Sequence, residues 1–168
     1  LNVSNVGGDL MLRHIGKADI GEIGGDLLVR NGISLKIDNV GDDASIRGVA
    51  GDVFIANIGS DLHLREIEGS LEANVGDDAI LYLQPREGAT YQVSAGDDIL
   101  LRLPVLLDAE VILSAGNDLA VNLPGVEKTD ENERTLTFGL ASAKLTLSAG
   151  NDLRVSTLTF LHLGTNEK

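Results

Sequence analysis

Short runs of alternating apolar and polar residues recur along the chain, and a glycine-containing corner precedes each run. The first two copies read Leu10-Met11-Leu12-Arg13 and Leu27-Leu28-Val29-Arg30. Alternation with a period of two predicts a β-strand with one buried face. The residues expected to point inward are Leu10, Leu12, Leu27, Val29, Ala44, Ile46, Leu62 and Leu64. Those expected to point outward, beside the arginines, are Met11, Leu28, Ser45 and His63.

A Gly-x-Asp triplet marks each repeat. The triplet begins at Gly7, Gly24, Gly41, Gly59, Gly76, Gly96, Gly116 and Gly150. A second alternating run, such as Leu35-Lys36-Ile37, follows in each repeat, and one such unit cannot bury its apolar residues alone. The repeat therefore predicts an all-β fold, a single-stranded β-solenoid (β-helix) of about 8–9 coils with roughly 17–20 residues per coil. The fixed glycine predicts a corner with positive φ.

The repeat length changes along the chain, but the pattern predicts one domain over residues 1–168. Residues 1–76 form coils of about 17 residues, and residues 77–156 form coils of about 20 with an inserted loop near 125–138. Within that loop, Thr135-Leu136-Thr137-Phe138 reads as a returning strand. Residues 157–168 read as a C-terminal cap containing Phe160, followed by a tail. Because the first residue is Leu1 and not methionine, we expect a processed form or a fragment of a longer protein.

Charge and composition limit the classes of function that the chain can have. The formal net charge of −13 argues against a general affinity for nucleic acid or anionic membranes, since phosphate binding depends on lysine and arginine. The absence of cysteine excludes disulfides and thiolate metal sites. No apolar run approaches the roughly 20 residues that membrane insertion requires. Aromatic residues make up only 3%, so we expect a core of aliphatic side chains.

Stacked repeats turn single acidic residues into a row. The row consists of Asp9, Asp26, Asp43, Asp61, Asp78, Asp98, Asp118 and Asp152. Neighbouring carboxylates repel one another, and an Asx-type turn with bonds to nearby backbone N–H groups would offset this repulsion. The alternative is Ca²⁺ bound between coils, with candidate ligands Asp42, Asp43, Asp77, Asp78, Asp97 and Asp98. No other cofactor or metal is predicted.

Two further rows follow from the repeat. Arg13, Arg30, Arg47 and Arg65 each lie four residues after an aspartate of the acidic row. This row is either a solvated outer face or a stripe that binds an anionic polymer or an acidic partner. A row of amides, with members that include Asn5, Asn39, Asn57 and Asn74, is interpreted as structural.

Motifs of catalysis are absent from the sequence. The three histidines, His14, His63 and His162, match no metal-ligand spacing, and neither a Gly-x-Ser-x-Gly elbow nor a Gly-x-Gly loop occurs. A carbohydrate-active β-helix enzyme would need paired carboxylates in a cleft, and coils of about 17 residues leave little loop to build one. We therefore predict no enzyme, with no catalytic and no cofactor-binding residues.

The phrase Gly51-Asp52-Val53-Phe54-Ile55, with its counterparts from Val3 to about Val155, resembles a widespread bacterial family of adhesin-type β-solenoid domains. The resemblance implies a solenoid and a place at the cell surface in preference to the cytoplasm. The chain is also similar, more weakly, to bactofilins, which are polymer-forming β-helices, but departs from them in its strict Gly-x-Asp corner and its insertion. The sequence thus predicts a non-catalytic structural or adhesin-like interaction module. The alternative is a self-assembling filament or scaffold subunit, so the expected partner is a protein, a surface polymer or a second copy.

Overall fold

The computed structural model describes residues 1–158 and contains fifteen β-strands joined by turns. The strands are β1 (Asn2–Val6), β2 (Leu10–Ile23), β3 (Leu27–Val40), β4 (Ala44–Val49), β5 (Val53–Ile58), β6 (Leu62–Ile67), β7 (Leu71–Val75), β8 (Ala79–Tyr82), β9 (Thr90–Ala95), β10 (Ile99–Leu103), β11 (Ala109–Ala115), β12 (Asp118–Asn122), β13 (Glu133–Phe138), β14 (Ala143–Ala149) and β15 (Asp152–Thr157). The predicted all-β class is confirmed. Residues 1–158 hold no helix that is long and apolar enough to cross a membrane. The predicted cap around Phe160, the tail and His162 lie outside the described residues.

The strands pair in two ladders that share the long strands β2 and β3. The first ladder contains the first halves of β2 and β3, followed by β4, β6, β8, β10, β15 and β12. The second contains β1, the second halves of β2 and β3, and then β5, β7, β9, β14, β11 and β13. Every pair is parallel except β11 with β13. Through the first six repeats, up to β9 and β10, each strand lies beside its counterpart in the next sequence repeat, so equivalent residues form rows across the sheet.

The inward rows form a continuous aliphatic core. One row consists of Leu12, Val29, Ile46, Leu64, Leu81, Leu101, Val155 and Val121, all of them buried. Tyr91 is the one aromatic residue in the core of the described residues, and its hydroxyl accepts a hydrogen bond from the Arg86 N–H at 3.2 Å. Each fully buried leucine or isoleucine contributes roughly 1.5–3 kcal/mol through removal of apolar surface from water. The core is therefore built from many thin layers of aliphatic side chains.

The predicted direction of the side chains agrees with the structure. Of the residues expected to point inward, all are buried except Leu10, which is half-buried. Of those expected to point outward, Met11, Ser45 and His63 are exposed and Leu28 is half-buried. The strand predicted at Thr135 to Phe138 is present as β13. Period-two alternation was a sufficient guide here because each strand has one face against the core.

The glycine that opens each Gly-x-Asp corner does not have positive φ, so this part of the sequence prediction is wrong. Its physical role is close packing of successive corners. A Cβ atom on Gly41 would lie 2.5 Å from the carbonyl oxygen of Gly24, and one on Gly24 would lie 2.9 Å from that of Gly7. Successive corners thus stack backbone on backbone, and any larger side chain would separate them.

Left-handed backbone occurs at a different corner, between the two strands of a repeat. His14, Asn31 and Glu66 have φ of 51°, 61° and 59°, and Gly48 has φ of 73°. These four residues each follow an arginine of the arginine row, so they form a row of their own. Sequence reasoning missed this row, because only one of its members is glycine.

The last two repeats stack in reverse order. The repeat formed by β14 and β15 lies between that of β9–β10 and that of β11–β12. The strand β13, from the predicted insertion, then pairs antiparallel with β11. The order of the repeats in space therefore departs from their order in the chain.

Candidate interaction surface

The outward side chains of the first ladder form a flat surface that we call the arginine face. Its residues, taken in spatial order, are Met11, Arg13, Leu28, Arg30, Ser45, Arg47, His63, Arg65, Ile80, Tyr82, Leu100, Arg102, Arg154, Ser156, Ala120 and Asn122. The period-two alternation of the strands puts these side chains on the side opposite to the core. Successive rows are about 4.8 Å apart, as in any sheet.

Charge on this face differs from that of the chain as a whole. Six of the 13 lysine and arginine residues lie on it, namely Arg13, Arg30, Arg47, Arg65, Arg102 and Arg154. Of the 26 acidic residues, three with exposed or half-buried side chains lie in the described first-ladder strands: Glu66 near the end of β6, and Asp118 and Asp152 where β12 and β15 begin. The arginine face is therefore basic on a molecule whose formal net charge is −13.

Two of these arginines are paired with acids at the borders of the face. Arg47 donates from Nε to Oε2 and from Nη2 to Oε1 of Glu66, both at 2.9 Å. Arg154 donates from Nη2 to Oδ2 of Asp152, also at 2.9 Å. The hydrogen bond from Arg47 lowers the pKa of Glu66 and raises that of Arg47. Both pairs are solvent-accessible, so they orient the side chains more than they stabilise the fold.

The remaining arginines of the row have their guanidinium groups available. Among the ion pairs of residues 1–158, none involves Arg13, Arg30 or Arg65. All three side chains are exposed. Arg30 and Arg65 border a shallow depression on the face, together with Arg47 and His63. This part of the face presents exposed guanidinium groups to the solvent.

Aromatic rings continue the arginine row toward the centre of the face. The ring centroids of His63 and Tyr82 are 5.9 Å apart. The guanidinium carbon of Arg102 lies 5.7 Å from the centroid of Tyr82, within range of a cation–π contact. The Nε atom of Arg102 is buried without a hydrogen-bond partner. Tyrosine and arginine are the residue types that dominate protein binding hot spots.

The acidic row connects each repeat to the next. In each case Oδ1 of one aspartate accepts the backbone N–H of the aspartate in the repeat beside it in space, at 2.9–3.2 Å. The pairs are Asp9 with Asp26, Asp26 with Asp43, Asp43 with Asp61, Asp61 with Asp78, Asp78 with Asp98, and Asp98 with Asp152. The carboxylates do accept backbone N–H groups, but from the neighbouring repeat and not within a local Asx-type turn. A bond of this kind fixes the register between repeats.

The calcium candidates lie at the same corner as the acidic row. No group of three or more acidic or histidine side chains in residues 1–158 is arranged to hold a metal ion. The calcium candidates Asp42, Asp77 and Asp97 take part in the corner through their backbone, since the N–H of Asp77 donates to Ser60 and that of Asp97 to Asp77. The candidates Asp43, Asp78 and Asp98 belong to the acidic row.

The amide row makes two side-chain links. Asn57 Nδ2 donates to Oδ1 of Asn39 at 3.0 Å, and Asn74 Nδ2 donates to the carbonyl oxygen of Ala56 at 2.9 Å. A second polar link, which sequence reasoning missed, joins the opposite corner of three repeats. There Ser70 N–H donates to Asp52 Oδ1 at 2.8 Å, and Thr90 N–H donates to Ser70 Oγ at 3.1 Å. These contacts are structural, because both partners lie within the stack.

Asp108 is a further acidic residue with defined hydrogen-bond partners, and sequence reasoning missed it. Its Oδ1 accepts the backbone N–H of Leu140 at 2.7 Å and that of Ser142 at 3.2 Å. These hydrogen bonds, with those to Ser142 first, lower the pKa of Asp108. The carboxylate thus holds the turn that leads into β14.

The chain was compared with models of protein families, with curated proteins and with solved structures, and no match was found.

Proposed function

We propose that the chain is a single-stranded β-solenoid that acts as a non-catalytic, adhesin-like interaction module. The solenoid architecture is supported by parallel pairing between strands one sequence repeat apart, in both ladders, from β1 to β10. Solenoids present long, regular surfaces that suit extended partners.

The binding surface in this proposal is the arginine face, and its partner is a linear polymer that carries carboxylate or sulfate groups. The observation that carries the proposal is the segregation of six arginines onto a face whose strands contain only three acidic residues within the described part of the chain, two of them paired with arginines of the face. Planar guanidinium groups bind such anions with two parallel hydrogen bonds. Rows that repeat about every 4.8 Å allow one polymer chain to make several of these contacts along the stack.

Carboxylates at both borders of the face favour a partner that is narrow enough to lie between them. The acidic row runs along one border, and Glu66 lies at the other. A wide anion such as double-stranded nucleic acid would meet these carboxylates, whereas a single polysaccharide chain can lie between them. The exposed apolar side chains of the face, such as Met11, offer contact to the sugar rings.

The proposal can be tested with heparin as the anionic polymer and dextran as the neutral one. We expect measurable binding of heparin in isothermal titration calorimetry, weakened by added salt, and no binding of dextran. The double variant Arg30→Gln/Arg65→Gln should weaken heparin binding at least about ten-fold, since two charge-assisted contacts are lost. The matched control is Lys36→Gln/Lys144→Gln, which removes the same charge from exposed side chains of the second ladder and should leave binding nearly unchanged. Equal losses in the two double variants would contradict the proposed surface.

A further inference from the structure

The repeat formed by β14 and β15, which we call the inserted repeat, occupies a slot between two repeats that precede it in the chain. On one side β14 pairs with β9 and β15 pairs with β10. On the other side β14 pairs with β11 and β15 pairs with β12. Residues 109–122 thus lie two layers from residues 90–103. Residues 143–157, which come later in the chain, occupy the layer between them.

The inserted repeat holds the end of the stack together. Among the described residues, β11, β12 and β13 pair with the rest of the sheet only through β14 and β15. The corner bonds follow the same route, since Asn117 Nδ2 donates to Asp152 Oδ1, and Asp152 N–H donates to Asp98 Oδ1. Withdrawal of the inserted repeat would leave an open slot whose two walls are both strand edges, and such edges bind a matching strand.

The segment that fills the slot closely resembles the segment beside it in sequence. Residues 109–121 and 143–155 pair in register and differ at only four positions: Glu110 against Lys144, Val111 against Leu145, Ile112 against Thr146, and Ala120 against Arg154. The inward residues of both segments are alanine, leucine or valine of similar size. A segment with this pattern, in any copy of the chain, can therefore fill the slot in the same register.

The turn that leads into the inserted repeat is short and conformationally unfavourable. Residues 139–142 connect β13 to β14, and both Gly139 (φ 60°) and Ala141 (φ 57°) are left-handed. A left-handed conformation is disfavoured for a residue with a Cβ atom. Asp108 holds this turn closed through its bonds to Leu140 and Ser142, although Leu140 itself is 92% exposed. Opening of the turn would release the strain at Ala141.

From these observations we infer that the slot also accepts the inserted repeat of a second copy of the chain, so that two molecules exchange residues 143–157. Exchange preserves every contact of the inserted repeat, because each slot is filled by an identical segment. The equilibrium is therefore set by protein concentration and by the strain of the turn at residues 139–142. The partner in this interaction is the chain itself, independently of any polymer bound to the arginine face.

Single cysteines can detect the exchange, because the chain contains none. Ser94 and Ser148 are exposed neighbours across β9 and β14, within the Cα spacing that a disulfide needs. One protein carries Ser94→Cys and another carries Ser148→Cys. The two are mixed in denaturant, refolded together at high concentration and oxidised. Exchange brings the two thiols together between molecules, and we expect a covalent heterodimer on a non-reducing gel.

Two controls make the result decisive. Glu72→Cys and Gln92→Cys are equally exposed neighbours across β7 and β9, outside the exchanged segment, and should give no heterodimer. Adding Ala141→Gly to both test proteins removes the strain of the closed turn and should lower the heterodimer yield. Absence of heterodimer in the test pair, or an equal yield in the control pair, would overturn the inference. It would also be overturned by an intrachain disulfide in a Ser94→Cys/Ser114→Cys chain, which would show that residues 109–122 fill the slot themselves.

Discussion

The guanidinium of Arg47 donates two hydrogen bonds of 2.9 Å to the carboxylate of Glu66, and the two residues belong to neighbouring repeats. Glu66 holds a left-handed φ of 59°, which a glutamate rarely adopts. The ion pair therefore lies at a corner where Glu66 has a left-handed backbone and its side chain contacts the arginine of the neighbouring repeat. Both side chains are about half exposed, at 51% and 55%.

This pair predicts a specific dependence of stability on pH. The hydrogen bond from Arg47 lowers the pKa of Glu66 below its ordinary value of 4.5, so the folded state favours the ionised carboxylate. Its stabilising contribution is complete above the pKa of the unfolded chain and is lost as the pH falls through the lowered pKa. The free energy of unfolding of Glu66→Gln, measured with urea, should thus fall slightly below that of the wild type at pH 7, and the difference should vanish in acid. A difference that grows on acidification would contradict this sign.

The acidic row predicts opposite effects for two substitutions of Asp61. Its Oδ1 accepts the backbone N–H of Asp78 at 3.1 Å, and its charge is repelled by the neighbouring aspartates of the row. Asp61→Asn keeps an oxygen acceptor and removes the charge, so it should be neutral or slightly stabilising at low salt. Asp61→Ala removes the acceptor and should lower the free energy of unfolding by about 1 kcal/mol. Urea unfolding at two salt concentrations measures both, and an equal loss in the two variants would show that the charge itself is required.

The inward rows were predictable from sequence because successive side chains of a strand point to opposite faces. When one face is buried, the apolar residues of the alternation must be the inward ones. Leu12, Val29 and Ile46 are buried as their alternation predicts, while Met11 and Ser45 are exposed. The arginine row was predictable for the same reason, since a fixed offset within a repeat becomes a row once strands pair in register.

Other features could not be read from the sequence because different structures satisfy the same pattern. Residues 109–121 and 143–155 carry the same inward residues except for Val111 against Leu145, so either segment could follow β9 and β10 in space. Likewise an aspartate after a glycine can accept an N–H within its own turn or from the next repeat. Only the close approach of successive corners selects the second arrangement, which is seen between Asp26 and Asp43.

The glycines of the Gly-x-Asp corner predict a contrast between two positions that are equivalent in sequence. An added Cβ at Gly41 would lie 2.5 Å from the carbonyl oxygen of Gly24, whereas one at Gly7 would meet nothing within 4 Å. Neither residue has positive φ, so the comparison isolates packing from backbone conformation. Gly41→Ala should lower the free energy of unfolding by about 2 kcal/mol or more, and Gly7→Ala should change it little. Similar losses in both variants would assign the glycine to a conformational role after all.

The left-handed row between the two strands of a repeat predicts a graded series at Gly48. This residue has φ of 73°, and a Cβ added to it would lie 2.7 Å from Oδ1 of Asn31. Gly48→Ala should lower the free energy of unfolding by about 1 kcal/mol or more, because alanine is disfavoured in this conformation. Gly48→Asn should cost less, since asparagine tolerates it and Asn31 already adopts it with φ of 61°. Gly16→Ala is the control, because Gly16 lacks positive φ and a Cβ there meets nothing within 4 Å, so its stability should not fall. Thermal unfolding of the four proteins ranks them. An asparagine variant as unstable as the alanine variant would show that the contact with Asn31, and not the backbone conformation, requires glycine at this position.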